Sequence, residues 1–268
     1  MMGRIWAIAL NTYREAIRQK VLFALAFFAG VMIVFSLFLA QLSLHADVKI
    51  IKDMGLACIM LFGALIAVFV GVGLVFKEID RRTIYTILSK PVSRTEFILG
   101  KFMGLSVTVG LVVFLMTVLM FSILLPYREP LDFNLMKAVV LIYAELCILV
   151  AVSLIFSSYS SAFMSSLFSL SLLVIGHLTD DFSAIMSPKI AEALRQAEGL
   201  ERWMNLAMQA VVDAFCLWSL DHLVINAKVV HGVSVGWGWV ANALLYAVSW
   251  LAILLAAATW MFRRKDLQ

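Results

Sequence analysis

The stretch from Lys77 to Phe102, KEIDRRTIYTILSKPVSRTEFILGKF, carries the residue types that could dock a second protein. It holds six Lys or Arg and three Asp or Glu, although only 14% of the chain is charged. Charged side chains orient an approaching partner, and Ile84, Ile87 and Leu88 give the stretch an apolar face that a contact could bury. A loop that only fixed membrane orientation would need the cations but not that face.

The same stretch predicts two short helices with a fixed break between them. Pro91 disfavours the helical conformation at Lys90 and so ends the first helix. Ser93 and Glu96 have the S-x-x-E spacing of a capping box, directly before an apolar run. The second helix should therefore have a stiff, capped start. From the residues alone, a solvated loop with ordinary helix ends is an open alternative.

Glu145, in IYAELCIL, is the second candidate for chemistry, because a carboxyl group within a membrane helix is costly. One interpretation is a protonated, structural side chain that hydrogen-bonds to Ser, Thr or Tyr inside the helix bundle or at a dimer seam. The other interpretation is a role in a substrate path or in proton transfer.

Metal and nucleotide patterns are not found in the sequence. The four histidines lack zinc-site spacing, and the three cysteines form no CxxC pair. No H-E-x-x-H sequence occurs, and no G-x-x-x-x-G-K-[ST] loop that would cradle ATP phosphates. We therefore expect no catalytic residue, metal or cofactor on this chain, and an intramembrane enzyme is the least favoured function.

The composition indicates that lipid surrounds most of these elements. The chain has 268 residues, of which 63% are hydrophobic, and a mean hydropathy of +1.01, whereas soluble domains are about 45–50% apolar. A net charge of +4 without basic runs does not indicate nucleic-acid binding. The first apolar run is longer than the core of a secretory signal, so we expect it to be retained.

Six stretches have the roughly 20 apolar residues that a helix needs to cross a bilayer. They are Val21 to Leu44, Met54 to Phe76, Phe102 to Leu125, Met136 to Phe156, Ala162 to Leu178, and Trp239 to Phe262. The SSYSS sequence at 157–161 predicts a tight turn. A seventh span over Leu206 to Ile225 is rejected, because Gln209, Asp213, Asp221 and His222 would lie in hydrocarbon.

The cations predict the orientation of these spans. With six spans and the N-terminus inside, thirteen Lys or Arg fall on the cytoplasmic side and eight on the outer side, which places both termini in the cytoplasm. Residues 1–20 then form an interfacial helix, with Trp6, Leu10, Tyr13 and Ile17 on its apolar face; a cytoplasmic extension of the first span is the alternative. Residues 180–238 form an outer region of amphipathic helices, the first around Pro188 to Trp203.

The sequence FKEIDRRTIYTILSKPVSRTEFILGKFMG resembles the cytoplasmic loop of type-2 ABC exporter permeases, the ABC-2 permease family. The matching residues are Glu78, Arg81, Arg82, Thr83, Leu88, Pro91, Val92, Ser93, Arg94, Gly100 and Lys101. The layout of an elbow helix, six spans and outer helices between spans five and six agrees with that family.

The resemblance implies a permease subunit of an ATP-driven exporter, a multi-pass protein of the bacterial inner membrane. It would homodimerise or pair with a similar subunit, and two ATP-binding subunits holding ATP and Mg would dock on its loop. The chain would be a single transmembrane domain, 1–268, with an elbow helix at 1–20, a coupling loop at 77–101 and an outer region at 180–238. The expected coupling residues are Glu78, Arg81, Arg82, Thr83, Ile84, Ile87, Leu88, Lys90, Pro91, Ser93, Arg94 and Glu96.

A second function uses the same loop. The chain could be a non-transporting anchor that passes ATPase motion to an extracytoplasmic accessory protein. The large outer region would suit that role.

Overall fold

The computed structural model describes residues 2–42, 47–80, 93–127, 133–196, 200–216 and 218–264. Within these ranges the regular secondary structure is helical and no strand occurs. The α-helices are α1 Met2–Ile17, α2 Lys20–Leu42, α3 Asp47–Asp80, α4 Arg94–Leu124, α5 Phe133–Ser157, α6 Ala162–Gln196, α7 Leu200–Cys216, α8 Asn226–Val230 and α9 Trp237–Arg264. The predicted all-α class is confirmed.

Six helices in the described ranges are long and apolar enough to cross a membrane. Their spanning parts are Lys20–Leu42, Asp47–Lys77, Arg94–Tyr127, Phe133–Ser157, Ala162–Thr179 and Trp237–Phe262. The six predicted spans are therefore confirmed. The rejection of a seventh is also consistent with the structure, because α7 has only 17 residues and a short 3-10 helix follows at Asp221–Leu223.

The second span belongs to a helix longer than the predicted span Met54 to Phe76. Helix α3 has 34 residues, which gives a length of about 51 Å at 1.5 Å per residue. The hydrocarbon layer is only about 30 Å thick. Both ends of α3 are polar, with Asp47 and Asp80 as its terminal residues, so the helix is longer than an untilted crossing of the lipid core requires.

The structure divides into two compact units, residues 1–169 with 223–268, and residues 170–222. The assignment of the whole chain to a single transmembrane domain stays a prediction.

Helix α3 is the centre of the larger unit and packs against α2, α4 and α5. Two glycines make the contact with α5 close. A Cβ atom at Gly63 would lie 2.5 Å from Leu146 Cδ1, and one at Gly71 would lie 2.6 Å from Ser153 Oγ. Small residues allow helix backbones to approach closely where lipid provides no hydrophobic drive for association.

In the larger unit, a lysine ties the start of α5 to the segment before α9. Lys137 Nζ donates to Val235 O at 2.7 Å and to Asn134 Oδ1 at 3.0 Å, and it lies 4.7 Å from the centre of the Trp237 ring. The side chain is only 8% exposed. These contacts, named here the Lys137 anchor, fix the first end of α9.

The smaller unit contains α6 from Leu170 onward and helix α7. The chain after α7 returns to α6, where Leu220 N donates to Gly176 O at 3.0 Å and Trp218 Nε1 donates to Leu172 O at 3.2 Å. A Cβ atom at Gly176 would lie 2.7 Å from Leu220 Cδ1, so a larger residue would push this segment away.

The predicted start of the first outer helix at Pro188 is wrong. Helix α6 continues from the fifth span through Pro188 to Gln196. Proline removes one backbone donor, because it has no N–H to offer the carbonyl of Ala184. The neighbouring turns of the helix continue despite that loss, so proline here does not end the helix.

Candidate coupling site

The centre of the predicted docking loop, residues 81–92, lies outside the described residues. The roles predicted for Arg81, Arg82, Thr83, Ile84, Ile87, Leu88, Lys90 and Pro91 stay predictions, as does the role of the Glu78 side chain. The structure does describe what the loop joins, because α3 ends at Asp80 and α4 begins at Arg94.

The predicted capping box at the start of α4 is confirmed. Ser93 has extended backbone angles, φ −74° and ψ 151°. The Glu96 backbone N–H donates to Ser93 Oγ at 3.2 Å, and the Ser93 N–H donates to Glu96 Oε2 at 2.8 Å. Both bonds satisfy backbone donors that the helix itself leaves without partners. Glu96 is 4% exposed, so its carboxylate serves the helix start rather than a surface.

Arg94, predicted as a coupling residue, is directed toward the end of α9. Its Nη1 donates to Phe262 O at 3.0 Å. The Phe97 and Phe262 rings stack with centroids 5.8 Å apart, and Ile98 and Ala258 are buried in the same cluster. A helix leaves its last carbonyls unpaired, and a nearby cation is favoured there. The start of α4 is thereby joined to the end of α9.

The turn between α5 and α6 joins the same junction. It lies where the SSYSS sequence predicted, between Ser157 and Ala162. The Tyr159 hydroxyl donates to Met261 O, and Ser158 Oγ donates to Leu154 O at 2.9 Å. The contacts of Arg94, Phe97, Ile98 and Tyr159 with the last turn of α9 are named here the α4–α9 clamp.

Helix α1 lies against α4 on a pair of glycines. A Cβ atom at Gly100 would lie 2.7 Å from Ile8 Cβ, and one at Gly104 would lie 2.5 Å from Ala9 O. Thr12 also faces Gly104 and is fully buried. Gly100 and Gly104 have the G-x-x-x-G spacing of close helix packing. The sequence analysis identified Gly100 only within a motif, and this spacing was the signal for the packing role.

The start of α4, with its cap, its contacts to α9 and its close packing against α1, lies directly after the loop that resembles ABC-2 permeases. In a comparison with protein families, residues 6–267 match the family described as ABC-2 family transporter protein. The chain belongs to this family. No curated protein matches the chain. As an ABC-2 permease with six helices able to span a membrane, it is a multi-pass membrane protein of an ABC transporter.

The α1 helix of this ABC-2 permease has three distinct faces. Ala9, Thr12 and Ala16 are buried at 5% exposure or less, whereas Trp6 is 62% and Leu10 is 39% exposed. The face that packs on α4 is therefore the small-residue face, and the predicted apolar face of Trp6 and Leu10 is left open. The arginines on the remaining side complete an amphipathic helix.

Lys101 lies inside the bundle rather than on a surface. It is 1% exposed, and its Nζ is 5.8 Å from the centroid of the Phe97 ring, a distance at which a cation is attracted by an aromatic face. The Gly-Lys pair of the loop motif therefore belongs to the packing between helices.

Glu145 is also inside the bundle, at 1% exposure within a single chain. Its own chain is enough to bury it, so no dimer seam is required to shield the side chain.

Among the described residues, no group of three or more His, Cys, Asp or Glu is placed to hold a metal ion.

A G-x-S-x-G spacing, known from hydrolase nucleophiles, occurs at Gly232 to Gly236. In hydrolases this serine lies on a turn between a strand and a helix. Here Ser234 is exposed in an irregular segment between α8 and α9, and no strand precedes it in the described chain. Its surroundings therefore do not match those of a catalytic serine.

Proposed function

We propose that this ABC-2 permease is the membrane subunit of an ATP-driven exporter in a bacterial inner membrane. A dimer, made with a second copy or with a similar subunit, would form the translocation path. Two separate ATP-binding subunits would hold ATP and Mg and dock on residues 77–101. The observation that carries the proposal is the rigid junction directly after that loop.

The junction supplies a mechanical route from the loop into the membrane. A displacement at Ser93 moves α4 as a rod, because the cap leaves no loose first turn. The glycine contacts carry α1 with it, and the Arg94 bond to Phe262 O carries the end of α9. Packed elements transmit such shifts because close-packed interiors deform little.

The coupling residues divide into docking and positioning roles in this proposal. Glu78, Arg81 and Arg82 orient the ATP-binding subunit, while Ile84, Ile87 and Leu88 provide its apolar anchors. Thr83 and Lys90 belong to the docking surface with them, and Pro91 sets the break. Ser93, Arg94 and Glu96 position the start of α4.

The proposed topology has both termini in the cytoplasm and α1 in the headgroup layer. It is supported by the excess of cations on that side and by the open Trp6 and Leu10 face of α1. A cysteine introduced at Ser234 should react with an impermeant thiol reagent from outside, whereas one at Lys90 should not. Labelling of the Ser234 position only from the cytoplasm would contradict the topology.

We assign Glu145 a structural role as a neutral carboxylic acid in the bundle, supported by its burial within one chain. Glu145→Gln keeps the size and much of the hydrogen bonding, so normal folding and transport are expected. Loss of transport in a folded Gln variant would instead indicate proton transfer.

One observation favours the second function, a transmitter that moves an extracytoplasmic protein. Residues 170–222 form a compact unit of their own, which would give such a partner a surface. Substrate-stimulated ATPase activity distinguishes the exporter from the transmitter, whereas capture of an outer protein with no transported solute favours the transmitter.

Co-purification tests the docking role of the loop. The double change Ile84→Asp and Ile87→Asp should remove the ATP-binding subunits from the purified complex, because two buried carboxylates without partners are costly. The control pair, Ile84→Leu and Ile87→Leu, keeps the apolar surface and should retain them. Full retention by the Asp pair would refute docking at this loop.

A further inference from the structure

The polar side of α1 carries a hollow of about 380 Å³, lined by Asn11, Arg14, Glu15 and Arg18. Asn11 and both arginines are exposed, and Glu15 is partly buried. Among the described residues, none of these four side chains makes a hydrogen bond or an ion pair. The hollow therefore presents two guanidinium groups, one carboxamide and one carboxylate to a ligand.

The two arginines favour an anionic group in the hollow. Arg14 and Arg18 are four residues apart, so their side chains are neighbours on the surface of the helix. Like charges at this spacing destabilise a helix, and an anion between them offsets that repulsion. The planar guanidinium group matches the geometry of phosphate oxygens, so a phosphate suits this pair.

The contacts of α1 place the hollow at the edge of the hydrocarbon layer. Gly100 and Gly104, against which α1 packs, lie on either side of Phe102, the first residue of the predicted third span. A Cβ atom at Gly73 would lie 3.9 Å from Gln19 Oε1, close to the end of the predicted second span. Both neighbouring helices change there between polar and apolar residues, and phospholipid headgroups lie at such a boundary.

The open apolar face of α1 lies next to the hollow. Leu10 precedes Arg14 by four residues, so the two side chains are adjacent on the helix surface. Trp6, one turn earlier, is 62% exposed, and Leu10 is 39% exposed. A helix with this pattern lies in the membrane interface, with its apolar side chains among acyl chains and its cations at the headgroups. A phospholipid is the ligand that can contact both sides.

The carboxylate of Glu15 distinguishes between phospholipid headgroups. It gains nothing from phosphatidylglycerol, which has no cation to offer. The amine of phosphatidylcholine is fully methylated and has no N–H to donate. Phosphatidylethanolamine carries a primary ammonium beside its phosphate, so it can make charge-assisted hydrogen bonds with Glu15 and with the arginines together.

We propose that the hollow on α1 binds the headgroup of phosphatidylethanolamine from the cytoplasmic leaflet. The phosphate accepts hydrogen bonds from Arg14 and Arg18, the ammonium donates to Glu15, and the Asn11 carboxamide donates to a remaining phosphate oxygen. The assignment to that leaflet rests on the topology proposed above.

Native mass spectrometry of the full chain tests the proposal. Delipidated protein in detergent is titrated with phosphatidylethanolamine, phosphatidylcholine or phosphatidylglycerol, all with identical acyl chains, and the first bound lipid gives an apparent Kd. We expect the lowest Kd for phosphatidylethanolamine. The double change Arg14→Gln and Arg18→Gln should raise the Kd of all three lipids at least tenfold, because each lipid loses charge-assisted bonds to its phosphate.

Glu15→Gln separates recognition of the amine from recognition of the phosphate. It should raise the Kd of phosphatidylethanolamine about fivefold, as expected for the loss of an exposed ion pair, and should not raise the Kd of the other two lipids. Lys20→Gln is the control, because Lys20 is an exposed cation outside the lining; its Kd values should equal those of the unmodified chain.

Three results would overturn the proposal. One is an equal Kd of the three lipids for the unmodified chain. Another is an equal effect of Glu15→Gln on phosphatidylethanolamine and phosphatidylcholine. The third is loss of the ATP-binding subunits from the arginine double variant, which would show that a protein covers the hollow. If that variant does not fold, the Glu15→Gln comparison decides. Absence of ATP-binding subunits from the unmodified chain would refute the exporter proposal but leave the lipid titration unchanged.

Discussion

The two ends of α9 are each held by a cation that donates to a backbone carbonyl, but the two anchors are built differently. At one end a single lysine makes the contacts, with Lys137 Nζ meeting Val235 O, Asn134 Oδ1 and the Trp237 ring. At the other end Arg94 is one member of a set that includes a capped helix start, stacked rings and a tyrosine hydroxyl.

The difference indicates that the two ends of α9 have different roles. An anchor made by one flexible side chain fixes a position, whereas an anchor made by a capped helix start joins two rigid rods. The α4–α9 clamp is also the anchor directly next to the docking loop. We therefore expect changes at the Lys137 anchor to affect stability, and changes at the clamp to affect coupling.

The largest effect is expected where α1 meets α4. Gly104→Ala places a methyl group 2.5 Å from Ala9 O, a backbone atom that has no rotamer to change, and overpacking of this kind costs about 1–3 kcal/mol. The melting temperature should fall and ATPase coupling should be lost with it. Gly30→Ala is the control, because its new methyl lies at an ordinary 3.7 Å from Leu119 Cδ2. Equal melting temperatures for the two variants would contradict the close packing of α1 against α4 at Gly104.

An effect of similar size on stability, but with none on coupling, is expected at the Lys137 anchor. Lys137→Met keeps the length of the side chain but leaves Val235 O without its buried donor, which costs about 1–3 kcal/mol. Thermal unfolding should report the loss, while ATP turnover per transported substrate stays unchanged. If Lys137→Met raised that ratio without lowering stability, the Lys137 anchor would affect coupling rather than stability, which contradicts the role assigned to it.

The smallest effect on stability, with the clearest effect on coupling, is expected at the clamp. Arg94→Gln removes the bond to Phe262 O from a half-exposed position, so we expect a loss of about 1 kcal/mol. The ATP-binding subunits should still co-purify, and ATP turnover per transported substrate should rise. Loss of co-purification would instead make Arg94 a docking residue.

Local features could be predicted from the sequence, because each depends on neighbouring residues. The Ser93 and Glu96 cap needs two side chains three positions apart, and the six spans need only continuous apolar runs. The Arg94 bond to Phe262 joins residues 168 positions apart, and the Lys137 bond to Val235 joins residues 98 apart. No local pattern contains such pairs, so the sequence could not predict that Arg94 bonds to the end of α9.

Two other differences also depend on tertiary structure. The continuation of α6 through Pro188 opposes the local preference of proline, which normally stops a helix. The contact of α1 with Gly104 follows a spacing visible in the sequence, but the spacing does not name the helix that packs there.

The most direct test of the central claim, that ATPase motion enters at residues 77–101 and moves the start of α4, is a distance measurement by pulsed electron paramagnetic resonance. A spin label at Thr95→Cys, in a background without the native cysteines, would report the distance between the two copies of the proposed homodimer in the complex with its ATP-binding subunits. The account predicts that a nonhydrolysable ATP analogue changes this distance, that the change persists in Lys137→Met, and that it is lost in the Ile84→Asp, Ile87→Asp pair. An unchanged distance in the intact complex, or a change that persists in the Asp pair, would contradict it.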